Sequence, residues 1–222
     1  MTGIKTRAIL LVMVAVIVAS GSIGAAYACY DTPYNCPHPP GLMDLKIRDQ
    51  DETWSEGVRA TWTANNMAPG DEFAFDGHFV GLCSQFPQKV NKGMIAITCN
   101  YNSWTAPQPD KMAKYMVITR CVYNYTDKKE IWQIDCLTGK ATKMPKKGNN
   151  SQLVNKDWQI QDVDRDGRIT FSDLKKRPLK NFPSFPNDEA RFEMSVRFHQ
   201  GAGNEFQDDT FTLTMIYTLT AG

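Results

Sequence analysis

Hydrophobic and polar residues alternate along several stretches near both ends of the chain. In 192–198 apolar side chains interleave with charged and polar ones, and in 211–219 they interleave almost entirely with threonines. A period of two is typical of half-buried β-strands. Similar alternation occurs in 43–47 and 58–64, and a further strand is expected at 72–82. The pattern predicts a mainly β fold, arranged as an antiparallel β-sandwich.

The middle of the chain departs from this alternation. Between Cys83 and Asp188 lie most of the lysines and four of the six cysteines, and in 110–122 periodicity does not separate helix from strand. We therefore expect a single β-sandwich domain over 29–222. Its insertion, at approximately 84–188, is expected to be stapled by its own disulfides.

Residues 1–28 have the organisation of an export signal. Lys5 and Arg7 precede an uncharged apolar run, and Ala26-Tyr27-Ala28 resembles a cleavage site. We expect a secreted protein at the cell surface that starts at Cys29 and meets a membrane only through this segment before cleavage. The alternative is an uncleaved anchor helix, because no charge interrupts 8–28.

All six cysteines follow the expected cleavage site, and an exported chain with an even number of cysteines is typically oxidised. Six cysteines allow fifteen pairings, but the short spacings favour neighbours. The expected pairs are Cys29 with Cys36, Cys83 with Cys99, and Cys121 with Cys136. A zinc site is the less favoured interpretation, because there is no C-x-x-C pair and the three histidines are scattered.

One segment, 162–173, matches the EF-hand-like calcium loop. Such a loop takes side-chain oxygens from positions 1, 3, 5 and 12, a carbonyl from position 7 and a side chain or water at position 9, with glycine at position 6 for the sharp turn. Gly167 occupies that glycine position. The expected calcium ligands are Asp162, Asp164, Asp166, the carbonyl of Arg168, Thr170 and Asp173.

Two features of this loop shape the expectation for calcium. Three aspartates within five residues repel one another unless a hard cation gathers them, although an acidic surface turn that binds nothing is the alternative. Position 12 is aspartate rather than the usual glutamate, which shortens its reach. In an extracellular chain a weak site that fixes a loop is normal, so the expected role is structural.

Composition and motifs argue against several function classes. The chain has 25 basic and 24 acidic residues, so it has no excess positive charge to attract the phosphate backbone of a nucleic acid. No H-E-x-x-H, G-x-S-x-G, P-loop or dinucleotide signature occurs, so we do not expect an enzyme. His78 and His199 fit solvated strand positions. The five tryptophans could line a sugar site, but burial in the sandwich is the commoner outcome.

Several segments, in order along most of the mature chain, resemble the TasA/camelysin family. The most specific is Gly203-Asn204-Glu205-Phe206-Gln207 before a threonine-rich final strand. The others are 42–46, the turn at 66–71, 112–120, and 169–174 at the end of the aspartate-rich loop.

The resemblance implies a secreted, jelly-roll-like β-sandwich. Members of the family build extracellular biofilm-matrix fibres or related archaeal bundling pili, in which an N-terminal segment of one subunit completes the sheet of the next. We therefore expect self-association into filaments. Residues 29–40 carry four prolines, which cannot donate hydrogen bonds within a sheet. Either a short part of this segment pairs, or the subunit polymerises through other surfaces, or it stays a monomer attached to the cell envelope.

Two other functions remain as alternatives. The family's other label is metalloendopeptidase, and a zinc peptidase here would have to assemble its ligands from His38, His78, His199 and distant carboxylates. The third hypothesis is a module that binds surface glycans through exposed tryptophans.

Overall fold

A computed structural model describes most of the chain after residue 42. The described residues are 43–48, 55–56, 59–65, 67–84, 92–103, 108–144, 153–186, 188–206 and 210–220. The expected export signal and the pair Cys29–Cys36 lie outside them. Across the described residues, no helix has both the length and the apolar character needed to cross a lipid bilayer.

Strands dominate the structure, as the alternation predicts. The strands are β1 (Met43–Arg48), β2 (Ser55–Glu56), β3 (Arg59–Ala64), β4 (Glu72–Ser84), β5 (Gly93–Ser103), β6 (Met116–Asp127), β7 (Glu130–Asp135), β8 (Lys140–Met144), β9 (Leu153–Val154), β10 (Leu179–Ser184), β11 (Glu189–Phe198) and β12 (Phe211–Thr220). The two α-helices are short: α1 is Pro109–Ala113 and α2 is Phe171–Lys176. The predicted mainly β fold is therefore confirmed.

The strands form two sheets in which all strand pairs are antiparallel. The larger sheet has eight strands in the order β2-β1-β4-β11-β6-β7-β8-β9, and the smaller has four in the order β10-β5-β12-β3. The two last strands of the chain lie inside the sheets, since β11 lies between β4 and β6, and β12 between β5 and β3. Early and late parts of the chain therefore meet in both sheets.

An aromatic core joins the two sheets. Trp62 of the small sheet stacks on Phe75 and His78 of the large sheet, with ring centroids 4.6 and 3.9 Å apart. Tyr217 of β12 meets Phe192 of β11 edge to face at 6.0 Å. Because each sheet buries alternate residues against the other, the arrangement is consistent with a β-sandwich.

The segment 84–188 contributes strands to both sheets. Its strand β5 pairs with β12, and its strand β6 pairs with β11. The stretch 110–122, which periodicity left undecided, contains the end of α1 followed by the start of β6. Pro109 opens this helix at a position where its missing N–H is not needed, and Met112 and Ala113 are buried.

Among the cysteine side chains that the structure describes, none forms a disulfide. Cys99, Cys121 and Cys136 are free, buried thiols. Cys99 donates to the Phe171 carbonyl at 3.6 Å, and burial raises the pKa of its thiol to about 12. Cys136 directly follows β7, and its N–H donates to the carbonyl of Cys121 in β6 at 2.8 Å, so the two cysteines lie opposite each other.

We predict that oxidation joins Cys121 to Cys136, with a local backbone shift that brings the two Cβ atoms closer together. Residues opposed in this way have Cα atoms about 5.5 Å apart, within the roughly 4.4–6.8 Å that disulfides span. The bridge should add about 3 kcal/mol to the free energy of unfolding. Mass spectrometry of unreduced peptides should find this link, and urea unfolding of wild type and C121A/C136A, each with and without a thiol reductant, should isolate its contribution. Recovery of both cysteines as free thiols from secreted protein would contradict the prediction.

Candidate metal centre

The aspartate-rich loop is attached to the β structure on both sides. Before the loop, the Ile160 N–H donates to the Cys136 carbonyl at 2.8 Å. After it, the Ile118 N–H of β6 donates to the Ile169 carbonyl at 2.7 Å, and Thr170 forms a β-bridge with Val117. Both ends of the loop are therefore held by the β structure. This restraint limits the conformational entropy that the loop loses when it binds a ligand.

Three of the predicted ligands come together at the tip of this loop. Asp162, Asp164 and Asp166 each offer a carboxylate oxygen, and these oxygens lie within 4.8 Å of one another. Asp162 is half-buried, whereas Asp164 and Asp166 are exposed. Across the part of the chain that the structure describes, this is the one group of three or more metal-ligating side chains brought together. Carboxylate oxygens are the ligands that calcium prefers.

The backbone turns sharply beneath the three carboxylates. Gly167, at position 6 of the loop, has φ +81°. Glycine adopts this conformation at low cost because it has no Cβ atom. The N–H groups of Asp166 and Gly167 donate to the Asp162 carboxylate at 3.2 and 2.8 Å. These hydrogen bonds hold Asp162 at the centre of the turn.

Arg168 supplies a positive charge to this acidic group. Its Nε donates to Asp166 Oδ2 at 2.9 Å, its terminal nitrogen contacts the same oxygen, and its backbone N–H donates to Oδ1 at 2.9 Å. The guanidinium hydrogen bonds hold the pKa of Asp166 below its ordinary value. Arg168 also lies over the Tyr115 ring, 5.7 Å from its centroid. Tyr115 lies 53 positions earlier, and no sequence signal connects it to the loop.

The remaining two predicted side-chain ligands are engaged with each other behind the loop. The Asp173 carboxylate is completely buried. It accepts from the N–H of Val163 at 2.9 Å, and from the N–H and hydroxyl of Thr170 at 2.9 and 2.7 Å. Thr170 precedes the first residue of α2, so Asp173 caps this helix as well as closing the loop.

Helix α2 anchors this cap in the core. Phe171 and Leu174 are fully buried, and the Phe171 ring stacks on Phe211 of β12 at 5.8 Å. The helix ends at Lys176, shortly before Pro178, which cannot continue a helix. The side chain at position 12 therefore links the candidate metal site to the sandwich.

The structure describes His78 and His199, whereas His38 lies outside the described residues. The interpretation of His78 as a solvated strand residue is wrong: it is fully buried, and its Nδ1 lies 2.8 Å from the Tyr217 hydroxyl. The cause is a β-bulge in β4, where two residues oppose Glu193, so that both Phe75 and His78 face the core. His199 is half-buried and its Nδ1 accepts from the Gly201 N–H at 3.0 Å.

Two of the tryptophans considered for a sugar site lie in the hydrophobic core. Trp62 and Trp158 are buried, and Trp158 Nε1 donates to the Asn181 carbonyl at 2.9 Å. Trp132 is partly buried against the core, while Trp54 and Trp104 lie outside the described residues. The described tryptophans therefore serve mainly in packing.

No model of a known protein family, no characterised protein and no solved structure matches the chain.

We predict that calcium stabilises the fold through the three loop aspartates. With a dissociation constant of about 0.1–1 mM, as in extracellular modules, about 10 mM calcium should add roughly 1.4–2.7 kcal/mol relative to excess chelator. Thermal melting monitored by circular dichroism should show a higher midpoint with calcium. D164N should remove this response because it takes one charged ligand from the cluster. An unchanged wild-type midpoint would count against the site.

Arg168 should weaken calcium binding, because its guanidinium occupies an Asp166 oxygen that a calcium ion would use. An exposed ion pair is worth up to about 1 kcal/mol, so R168Q should bind calcium roughly fivefold more tightly. Isothermal titration calorimetry of wild type and R168Q measures this difference. K175Q, which changes a lysine near Tyr101 rather than the loop, is the matched control and should leave the affinity unchanged.

Proposed function

We propose that this chain is an exported structural subunit of an extracellular filament, pilus or biofilm matrix, and that calcium stiffens the subunit. The proposal includes three further statements. The strands are connected as in a jelly roll, the chain is related to the TasA/camelysin family, and a leader is removed after residue 28. The antiparallel β structure, the loop at 162–173 and the export-like 1–28 each support it.

The observation that carries the proposal is the open edge of the smaller sheet. Within the described residues, β3 pairs with β12 on one side only. It is six residues long and regularly alternating, with Trp62 and Ala64 facing the core. An edge of this kind offers N–H and C=O groups that an extended segment of another subunit can satisfy.

Assembly through this edge produces a filament rather than a closed particle. A segment from one copy that adds to the sheet of the next makes a head-to-tail contact, and such contacts propagate unless the rotation closes a ring. The N-terminal residues 29–40 are the proposed donor, with a short stretch between the prolines making the pairing. If those residues do not donate, another surface has to make the contact.

Electron microscopy of the purified secreted protein, with calcium and with chelator, tests the proposal. We expect filaments whose number or length increases with calcium. A variant lacking residues 29–40 should remain folded by circular dichroism and form none. Filaments from that variant would retain the structural role but reject this donor, whereas monomers from wild type under every condition would contradict the proposed function.

A further inference from the structure

The outward faces of the two sheets differ in their chemistry. On the large sheet several outward side chains are charged and paired with one another: Glu193 contacts Arg120 at 2.8 Å and Arg191 at 3.0 Å, and Arg197 pairs with Glu72. On the small sheet the outward positions of β3, β12 and β5 are mostly threonine and asparagine. Their inward neighbours on the same strands are buried.

These neutral side chains form rows across the small sheet. Thr61 Oγ1 lies 3.3 Å from Thr214 Oγ1, and in the next row Thr63 Oγ1 lies 3.5 Å from Thr212 Oγ1. The register continues each row onto β5. We define the threonine face as Thr61, Thr63, Thr98, Asn100, Asn102, Thr212, Thr214 and Thr218.

The face is suited to a partner that carries no charge. Among the described residues of these three strands, Arg59 at one end of β3 is the only ionisable residue at an outward register position. Covering the rows around Thr61 and Thr63 therefore buries no charge, which avoids the largest cost of burying a polar surface.

The chemistry of the face is also self-complementary. A hydroxyl both donates and accepts hydrogen bonds, and so does a side-chain amide. A second copy of the same face, turned about a two-fold axis, can therefore satisfy the groups that it covers. The threonine methyl groups and Ile216 add apolar surface between the rows.

We propose that the threonine face is a lateral contact between two copies of this chain. Strands β12, β5 and β3 have 10, 11 and 6 residues, and at about 3.3 Å per residue and 4.8 Å per strand they present roughly 400 Å² per copy. A standard interface covers about 800 Å² per partner. The contact is thus weak between isolated subunits and becomes strong when it is repeated along two filaments, a consequence that rests on the proposed function.

Sedimentation equilibrium with the purified protein tests the contact directly. We expect a concentration-dependent dimer for wild type. T214K, which puts a charge between Thr61 and Asn100, should raise the dimer dissociation constant at least about tenfold because the new charge is buried without a partner. N100K makes the same test at an exposed position that tolerates lysine. S195K, on the outward face of the large sheet, is the matched control and should associate like wild type.

Several outcomes would overturn the proposal. In the first, wild type is still monomeric at concentrations on the order of 1 mM. In the second, T214K and N100K dimerise as wild type does. In the third, S195K raises the dimer dissociation constant as much as T214K does. Binding of a monomeric wild type to an insoluble neutral polysaccharide such as cellulose, lost in N100K, would also overturn it and assign the face to a glycan.

Microscopy separates this inference from the proposed function. Wild-type filaments should bundle, whereas T214K should form single filaments. A wild type that dimerises through this face without forming filaments would retain the contact and reject the filament role. Single wild-type filaments with no bundles, together with no dimer in solution, would retain the filament role and reject the contact.

Discussion

D173A should lower the free energy of unfolding by about 4 kcal/mol in the absence of calcium. The buried Asp173 carboxylate accepts three hydrogen bonds, from the Val163 N–H and from the N–H and hydroxyl of Thr170. A hydrogen bond to a charged group contributes roughly 1.5–3 kcal/mol, and the three are not additive. Alanine also leaves buried donors without acceptors. Urea unfolding with chelator present measures the change.

D164A is the matched control for this prediction. Asp164 belongs to the same loop but is exposed, so without calcium its replacement should change the free energy of unfolding by no more than about 0.5 kcal/mol. If D173A costs no more than D164A under these conditions, Asp173 does not close the loop and cap α2 as described. A cost that appears only when calcium is added would instead make Asp173 chiefly a ligand.

Stability should fall as the pH drops below 6.5, because of His78. Burial of this imidazole lowers its pKa from 6.5 to about 3 in the folded chain, whereas the unfolded chain takes up the proton near 6.5. The histidine therefore contributes its full stability above pH 6.5 and loses it progressively toward pH 3. The slope is about 1.4 kcal/mol per pH unit, or roughly 2.7 kcal/mol at pH 4.5.

Urea unfolding of wild type and H78Q between pH 7.5 and about 4.5 isolates this effect. Glutamine keeps a polar side chain near the Tyr217 hydroxyl but does not titrate, so H78Q should be less stable at neutral pH and less sensitive to acid. Contributions from carboxylates common to both chains cancel in the difference. Parallel pH profiles for the two proteins would show that His78 is not the buried neutral group described here.

The strands near the two ends of the chain were predictable because alternation is a local property. The runs that became β11 and β12 each bury one set of alternate residues, and period two identifies such residues without any knowledge of the partner strand. The helix α1 was not predictable in the same way, because five residues are too few for a helical period to emerge. The pairing of β12 with both β3 and β5 also depends on contacts distant in sequence.

The candidate site was predictable only as far as its residue spacing. The aspartates at 162, 164 and 166 lie together because they share one tight turn. The role of Asp173 depends on where its carboxylate points, and the structure directs it to the amides of Val163 and Thr170. His78 was misread because a bulge changes which side of β4 faces the core, and the bulge is visible only in the pairing with β11.

Sedimentation of the purified secreted protein at high speed, in calcium and in chelator, tests the central claim most directly. The account predicts that wild type enters the pellet as polymer when calcium is present, and that D164N, with its fold intact, stays largely in the supernatant. Wild-type protein that remains a soluble monomer with calcium, at every concentration tried, would contradict a calcium-stabilised extracellular filament subunit.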